Sequence, residues 1–200
     1  MLYKGDPIMK EFEEAGAILH GHFVLSSGLH SDTYIQCAKI FENPSRAMKV
    51  CKLLANKIRK ELSSPIDLIL SPAIGGIILG YEIGRQLGIR TMFCERVNSK
   101  FELRRGFEIK KGEKTLLIED VITTGKSSLE AVECAKEKGG KVVAEAALIK
   151  RNSEAKLSFP VISLLELSIE NYSEAELPEE LRKLPVTKPG SREYLSNCAK

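Results

Sequence analysis

The chain has 200 residues, 43% of them hydrophobic and 28% charged, with a formal net charge of +3. That length can bury a core without staples and suits one domain, expected to span residues 1–200. The charge is too small to argue for nucleic acid, no stretch approaches the roughly 18 apolar residues of a membrane span, and Met1 to Lys10 lacks the apolar centre of an export signal.

The first helix is expected from Pro7 to Leu19, where Ile8, Phe12, Ala15 and Leu19 share one face and Pro7 suits a first turn. Gly21 to Gln36 is polar and rich in Gly and Ser, so it reads as turns with a short strand at Thr33 to Gln36. A second helix starts near Pro44, with Met48, Cys51, Leu54 or Ala55, Ile58 and Leu62 in helical period and a solvated basic face between them. Ile66 to Leu70, bounded by Pro65 and Ser71-Pro72, reads as a buried strand. Gly75-Gly76 leads into a helix from Ile77 to Leu87, stopped by Gly88. Arg90 to Cys94 is a short strand, and Val97 to Lys111 a charged hairpin with Gly106 near its base. Thr115 to Ile118 is a strand, Ser127 to Lys138 a helix, and Val142 to Ile149 and Val161 to Leu167 two more strands. The acidic, proline-bearing stretch from Glu174 to Pro185 is expected to cap the outside.

Strands alternating with helices predict an α/β fold, a mainly parallel sheet flanked by helices. Ligands of such folds bind in the crevice beyond the carboxyl ends of the strands, so chemistry is expected in the loops that follow them. The cysteines Cys37, Cys51, Cys94, Cys134 and Cys198 form no C-x-x-C pair and read as reduced thiols of a cytoplasmic protein. His20 and His22 lie close together, but no carboxylate or cysteine completes a zinc set around them.

The most informative run is Leu116-Leu117-Ile118-Glu119-Asp120-Val121-Ile122-Thr123-Thr124-Gly125-Lys126-Ser127. Its Gly-Lys-Ser is not a triphosphate-binding loop, because that spacing needs glycine where Asp120 stands. Thr123 to Ser127 can instead wrap one phosphate monoester with hydroxyls and backbone N–H groups at a helix N-terminus. The two carboxylates just before it accept hydrogen bonds from a diol. Together they describe a ribose 5-phosphate moiety. A strand-end acidic pair that merely caps the next helix is the plainer alternative.

This run resembles the phosphoribosyl diphosphate (PRPP) signature of the type I phosphoribosyltransferases. The resemblance implies that family's fold, with a small hood built from about residues 1–40 and open to a contribution from the C-terminal segment. It also implies that Glu119, Asp120, Val121, Ile122, Thr123, Thr124, Gly125, Lys126 and Ser127 bind PRPP. Ser71-Pro72-Ala73-Ile74-Gly75-Gly76 is similar to the family's pyrophosphate loop, assigning that role to Ala73, Ile74, Gly75 and Gly76; a tight strand-to-helix turn explains the glycines nearly as well.

Two further segments are similar to the orotate phosphoribosyltransferases. Phe23-Val24-Leu25-Ser26-Ser27-Gly28 resembles their F-x-L-x-S-G stretch, with Ser26 where Lys is common, and the pair Tyr34-Ile35 follows where an aromatic pair is usual. Arg151, at its distance after the signature, matches the arginine that meets orotate, whose carboxylate suits a guanidinium fork. Thr123 is the other implied orotate contact. Lys188-Pro189-Gly190-Ser191-Arg192 loosely echoes some members' C-termini.

The resemblance implies transfer of ribose 5-phosphate from PRPP to orotate in pyrimidine biosynthesis, in a cytoplasmic homodimer whose mobile loop serves the neighbour's site. Glu119 and Asp120 would be catalytic. Mg²⁺ would be the cofactor, held mainly by PRPP rather than by protein ligands. The region matching the mobile loop, Glu95 to Phe107, contains no histidine, unlike many members. Arg96 and then Lys100 are its candidate catalytic cations, with Arg104 and Arg105 equally readable as a solvated hairpin. Three rivals stay open at this point: a phosphoribosyltransferase for another base, a PRPP-binding regulator, and a plain nucleotide-binding module.

Overall fold

The computed structural model describes residues 6–25, 27–152 and 157–189. Ser26, Gly190 to Arg192 and Cys198, which carry readings above, lie outside them.

Helix α1 (Pro7–Glu14) starts where Asp6 accepts a 2.7 Å hydrogen bond from the Ile8 N–H, and it buries Phe12. It stops five residues before the expected Leu19, because Gly16 turns the chain with a φ of 66°. The chain then extends into β1 (Ile18–Val24), which pairs antiparallel with β2 (His30–Ile35). The segment expected to be turns is therefore a hairpin, and a short helix, α2 (Ala38–Phe41), follows it. Helix α3 (Pro44–Glu61) matches the expected start and is capped by Asn43, whose side chain accepts from the Ser45 and Arg46 N–H groups.

The remaining elements are β3 (Leu68–Pro72), α4 (Gly76–Leu87), β4 (Arg90–Val97), β5 (Lys100–Glu102), β6 (Lys114–Ile122), α5 (Lys126–Glu137), β7 (Lys141–Arg151), β8 (Val161–Leu167), α6 (Glu179–Arg182) and β9 (Val186–Thr187). Six strands form the main sheet in the order β5-β4-β3-β6-β7-β8. All its pairs are parallel except β4 with β5, which turns through Asn98 and Ser99, both at positive φ. The chain runs from β3 outward to β4 and then crosses back to place β6 on the other side of β3. That reversal is a topological switch point, and it opens a crevice between the loops after β3 and β6.

Two apolar layers cover the sheet. Helices α3 and α4 enclose Leu116 and Ile118 with Val50, Leu54, Leu79 and Ile83. On the other face α5 covers Leu68, Leu70 and Leu117 with Ala131, Cys134 and Ala135. The alternation along β6 follows from the two-residue period of a strand. Helix α4 lies close to the sheet because Gly76, Gly80 and Gly84 recur every four residues on its inner side. A Cβ at Gly80 would stand 2.0 Å from Ser71 Oγ, and one at Gly84 would stand 2.1 Å from Thr91 Cγ2 and 2.8 Å from the Ile89 carbonyl oxygen. The Gly84 clash involves backbone and cannot be relieved by a rotamer change. Gly84→Ala should therefore cost about 1–3 kcal/mol and lower the melting temperature by roughly 5 °C, measured by calorimetry.

A second, three-stranded sheet has the order β2-β1-β9. The stretch from Glu174 to Pro185 buries Leu177 and Leu181, and just beyond it β9 supplies the third strand beside β1, the C-terminal contribution that the resemblance left open. Further contact comes from Tyr172, whose N–H donates to the His30 carbonyl and whose carbonyl accepts from the His30 N–H. This small sheet, called the hood below, adjoins the carboxyl end of β6, where the Cys37 thiol just beyond β2 donates to the Asp120 carbonyl.

Candidate functional site

Strand β6 carries Glu119 and Asp120 to the crevice, and the chain leaves it through Thr123 and Thr124, which are exposed. Gly125, at a φ of 74°, turns directly into α5 with no side-chain cap. The N–H groups of this turn are thereby left to meet an anion, with the helix dipole behind them. Thr124 Oγ1 accepts from the Lys126 N–H at 3.4 Å, the one side-chain bond shaping the turn among the described residues.

The two carboxylates differ. Glu119 is buried, 8% exposed, and accepts from the Asp120 N–H. Its pKa is pushed well up, first by burial, then by the charge of Asp120 and, less strongly, by Glu145. Asp120 is half-buried and accepts from the Val121 N–H at 2.8 Å. By strand alternation they point to opposite faces of the sheet. Asp120 faces the loop after β3: a Cβ on Gly75 would lie 2.5 Å from its Oδ2. The loop of Ala73, Ile74, Gly75 and Gly76 therefore borders the same carboxylate, with the Ala73 N–H donating to the Cys94 carbonyl and a cis peptide between Ala73 and Ile74.

The hood closes on this pair. Cys37, which precedes α2 two residues beyond β2, donates to the Asp120 carbonyl, and its thiol is held well above its ordinary pKa by burial and then by Asp120 and Glu119. Tyr34 packs on Phe23 with ring centroids 5.7 Å apart, and its phenol is pushed up by burial and then by the charge of Asp120. Ile35 points the other way and packs against the main core. So the structure brings Tyr34, but not Ile35, toward the carboxylates.

Arg151 ends β7 almost fully buried, 8% exposed. Its Nη2 donates to Ser31 Oγ at 3.0 Å and to Asn171 Oδ1 at 2.5 Å, while its Nε is buried without a partner. Burial lowers its pKa, and Asp32 partly opposes that. Neither Ser31 nor Asn171 was singled out in the sequence. The serine lies within the F-x-L-x-S-G neighbourhood and could have been, whereas Asn171 reaches Arg151 only through tertiary folding.

The cations of the β4–β5 hairpin stand apart from this cluster. Arg96 donates to Glu130 at 2.5 Å and to the Ser99 carbonyl, and stacks over the Phe101 ring at 4.3 Å. Lys100 pairs with Glu137 at 2.6 Å, and Arg105 with Glu95 at 3.0 Å. Their partners in this chain are acids of α5 and β4 rather than residues of the crevice. Among the described residues, no group of three or more His, Cys, Asp or Glu is arranged to hold a metal ion. Glu119 and Asp120 offer hard oxygen atoms at the crevice, a donor set that suits Mg²⁺ already carried by phosphate oxygens.

A profile of the phosphoribosyl transferase domain matches residues 36–180. The chain is 50% identical over 188 residues to an orotate phosphoribosyltransferase of Parvibaculum lavamentivorans, covering 94% of this chain and 97% of that one. The orotate phosphoribosyltransferase of Erythrobacter litoralis is 48% identical over the same span and coverage. The crystal structure of orotate phosphoribosyltransferase from Aeropyrum pernix superposes with a TM-score of 0.70 at 23% identity, over 80% of this chain and 93% of that one. An adenine phosphoribosyltransferase from Thermoanaerobacter pseudethanolicus shares the fold at a TM-score of 0.58, with 14% identity over 68% of this chain and 88% of that one. With near-half identity over almost its whole length, the chain belongs to the orotate phosphoribosyltransferases.

Proposed function

We propose that the crevice joins orotate to the ribose 5-phosphate of PRPP and releases pyrophosphate, forming orotidine 5′-phosphate in pyrimidine (UMP) biosynthesis. The observation that carries this reading is the buried Arg151 with an unpartnered Nε at the wall shared by hood and sheet. A guanidinium held by two neutral partners, with one buried N–H left unpaired, suits an anionic, planar ligand group, and orotate presents a carboxylate. Thr123 to Ser127 hold the 5-phosphate, Glu119 and Asp120 the ribose hydroxyls, and the loop of Ala73 to Gly76 the pyrophosphate. Tyr34 lies beside the pyrimidine.

Displacement occurs at the anomeric carbon. The orotate nitrogen approaches as the bond to pyrophosphate breaks, and the ring passes through an oxocarbenium-like state. Asp120 favours positive charge on that ring, and the N–H groups of the loop after β3 favour negative charge on the departing oxygen. No side chain acts as a nucleophile; positioning does most of the work. Mg²⁺ carried by the oxygens of PRPP would offset charge on the leaving pyrophosphate, and Glu119 and Asp120 are the side chains that would help to hold it.

The assembly we propose is a cytoplasmic homodimer. Ile74, Ile78 and Tyr81, at 85%, 57% and 64% exposure along one side of α4 and the loop before it, offer an apolar stripe to a second copy. In that dimer the β4–β5 hairpin, carrying Arg96 and Lys100, serves the neighbour's pyrophosphate. The described cysteines are free and buried, which suits a reducing compartment. No helix among the described residues is long and apolar enough to cross a membrane.

The test is turnover of a panel of bases with PRPP, with and without Mg²⁺. Loss of orotate absorbance with no product from uracil, hypoxanthine or adenine is expected, and EDTA should stop it. Turnover of a purine would overturn the assignment of the base, and unchanged turnover in EDTA would overturn that of the metal.

A further inference from the structure

Glu145 is the one carboxylate of the described core that the proposed reaction does not use. It lies in the middle of β7, 1% exposed, beside Leu117 of β6 and Val161 of β8. Its strand neighbours Ala144, Ala146, Ala147 and Leu148 are wholly buried and apolar. A hydrocarbon would be the cheap residue here, because a buried carboxyl forfeits hydration that one hydrogen bond replaces only in part. Its Oε1 accepts from Ser128 Oγ at 2.7 Å, while its Oε2 has no partner. Ser128 is itself 2% exposed and sits in the first turn of α5, directly after the phosphate cup. That turn starts from an uncapped glycine, and Ser128 to Glu145 is a buried side-chain tie from the first turn of the cup's helix to the sheet.

We infer that Glu145 is a positioning residue for PRPP: through Ser128 it fixes the first turn of α5 against β7, so that the N–H groups of 123–127 converge on the 5-phosphate. It touches no substrate and acts only through the helix. Groups that orient a binding shell from behind have this character, since a small rotation of the turn would misdirect several N–H groups together.

This inference rests on PRPP being the substrate, and steady-state kinetics with orotate separates the two. Ser128→Ala and Glu145→Met should each raise the KM for PRPP about tenfold, while kcat and the KM for orotate change less than about twofold. Glu145→Gln keeps an acceptor oxygen for Ser128, so its KM for PRPP should stay within about twofold of wild type. Should Glu145→Met fail to fold, Ser128→Ala and Glu145→Gln still decide. An unchanged KM for PRPP in Ser128→Ala, or a KM in Glu145→Gln raised as far as in Ser128→Ala, would overturn the positioning role while leaving wild-type turnover intact. No wild-type turnover at all would instead overturn the reading of the reaction.

Discussion

Asp120→Asn should lower kcat on the order of 100-fold or more, with the melting temperature held within roughly 2 °C of wild type. The asparagine oxygen can still accept from the Val121 N–H, which Asp120 now meets at 2.8 Å, so the local fold keeps its bond. What is lost is the negative charge under the developing oxocarbenium ring, and with it an interaction stronger in the transition state than in the ground state. Because Gly75 presses toward this carboxylate, the position also sets the width between the two loops of the crevice. The KM for PRPP should therefore move less than kcat. Stopped-flow turnover with calorimetry on the same preparation checks both halves, and wild-type turnover in the mutant would remove Asp120 from the chemistry.

Arg151→Met should reduce kcat/KM for orotate by roughly 100-fold, about 3 kcal/mol, the scale expected when a buried ionic partner is truncated. Methionine keeps much of the volume but supplies no donor. Its removal leaves Ser31 and Asn171 without the Nη2 they share, yet both retain other surroundings: Ser31 Oγ still donates to the Glu170 carbonyl, and Asn171 is exposed. Fold stability should thus fall much less than orotate affinity, and PRPP affinity hardly at all. Isothermal titration of orotate and PRPP separately distinguishes these. Equal losses for both ligands would mean that Arg151 ties the hood to the sheet and does nothing more specific.

Most of the main sheet was legible because its signals are local. Leu116 to Ile118 are apolar without alternation, as a strand buried on both faces must be, and the acidic pair, the threonines and Gly125 follow in the order a phosphate cup requires. Gly88 marks the end of α4 where a left-handed residue is needed, at a φ of 72°. The glycine ridge of α4 was not read, since a four-residue repeat of small residues shows its use only when Ser71 and Thr91 are seen against it.

The hood was expected from the family resemblance, but its strand β1 was not read from the residues, for a definite reason. In β1 the period-two pattern is broken by a register shift between His20 and Phe23, so Ile18-Leu19-His20-Gly21-His22-Phe23 reads neither as strand nor as helix. The ties that hold the hood are also distant in sequence. His30 meets Tyr172, Arg151 meets Ser31, and β9 meets β1, and none of these pairings leaves a local trace. Arg151 was identified only through the family resemblance; the pattern of β7 alone marks it as a strand end. The hairpin cations were visible as charges, but their pairing with Glu130 and Glu137 depends on how α5 lies beside β5.

A structure of the protein bound to orotidine 5′-phosphate tests the whole arrangement with one ligand. The phosphate is expected on the N–H groups and hydroxyls of Thr123 to Ser127, the ribose hydroxyls on Glu119 and Asp120, and the base carboxylate within hydrogen-bond distance of Arg151 Nε. A nucleotide whose base turned away from Arg151, or whose phosphate lay outside the turn before α5, would contradict it.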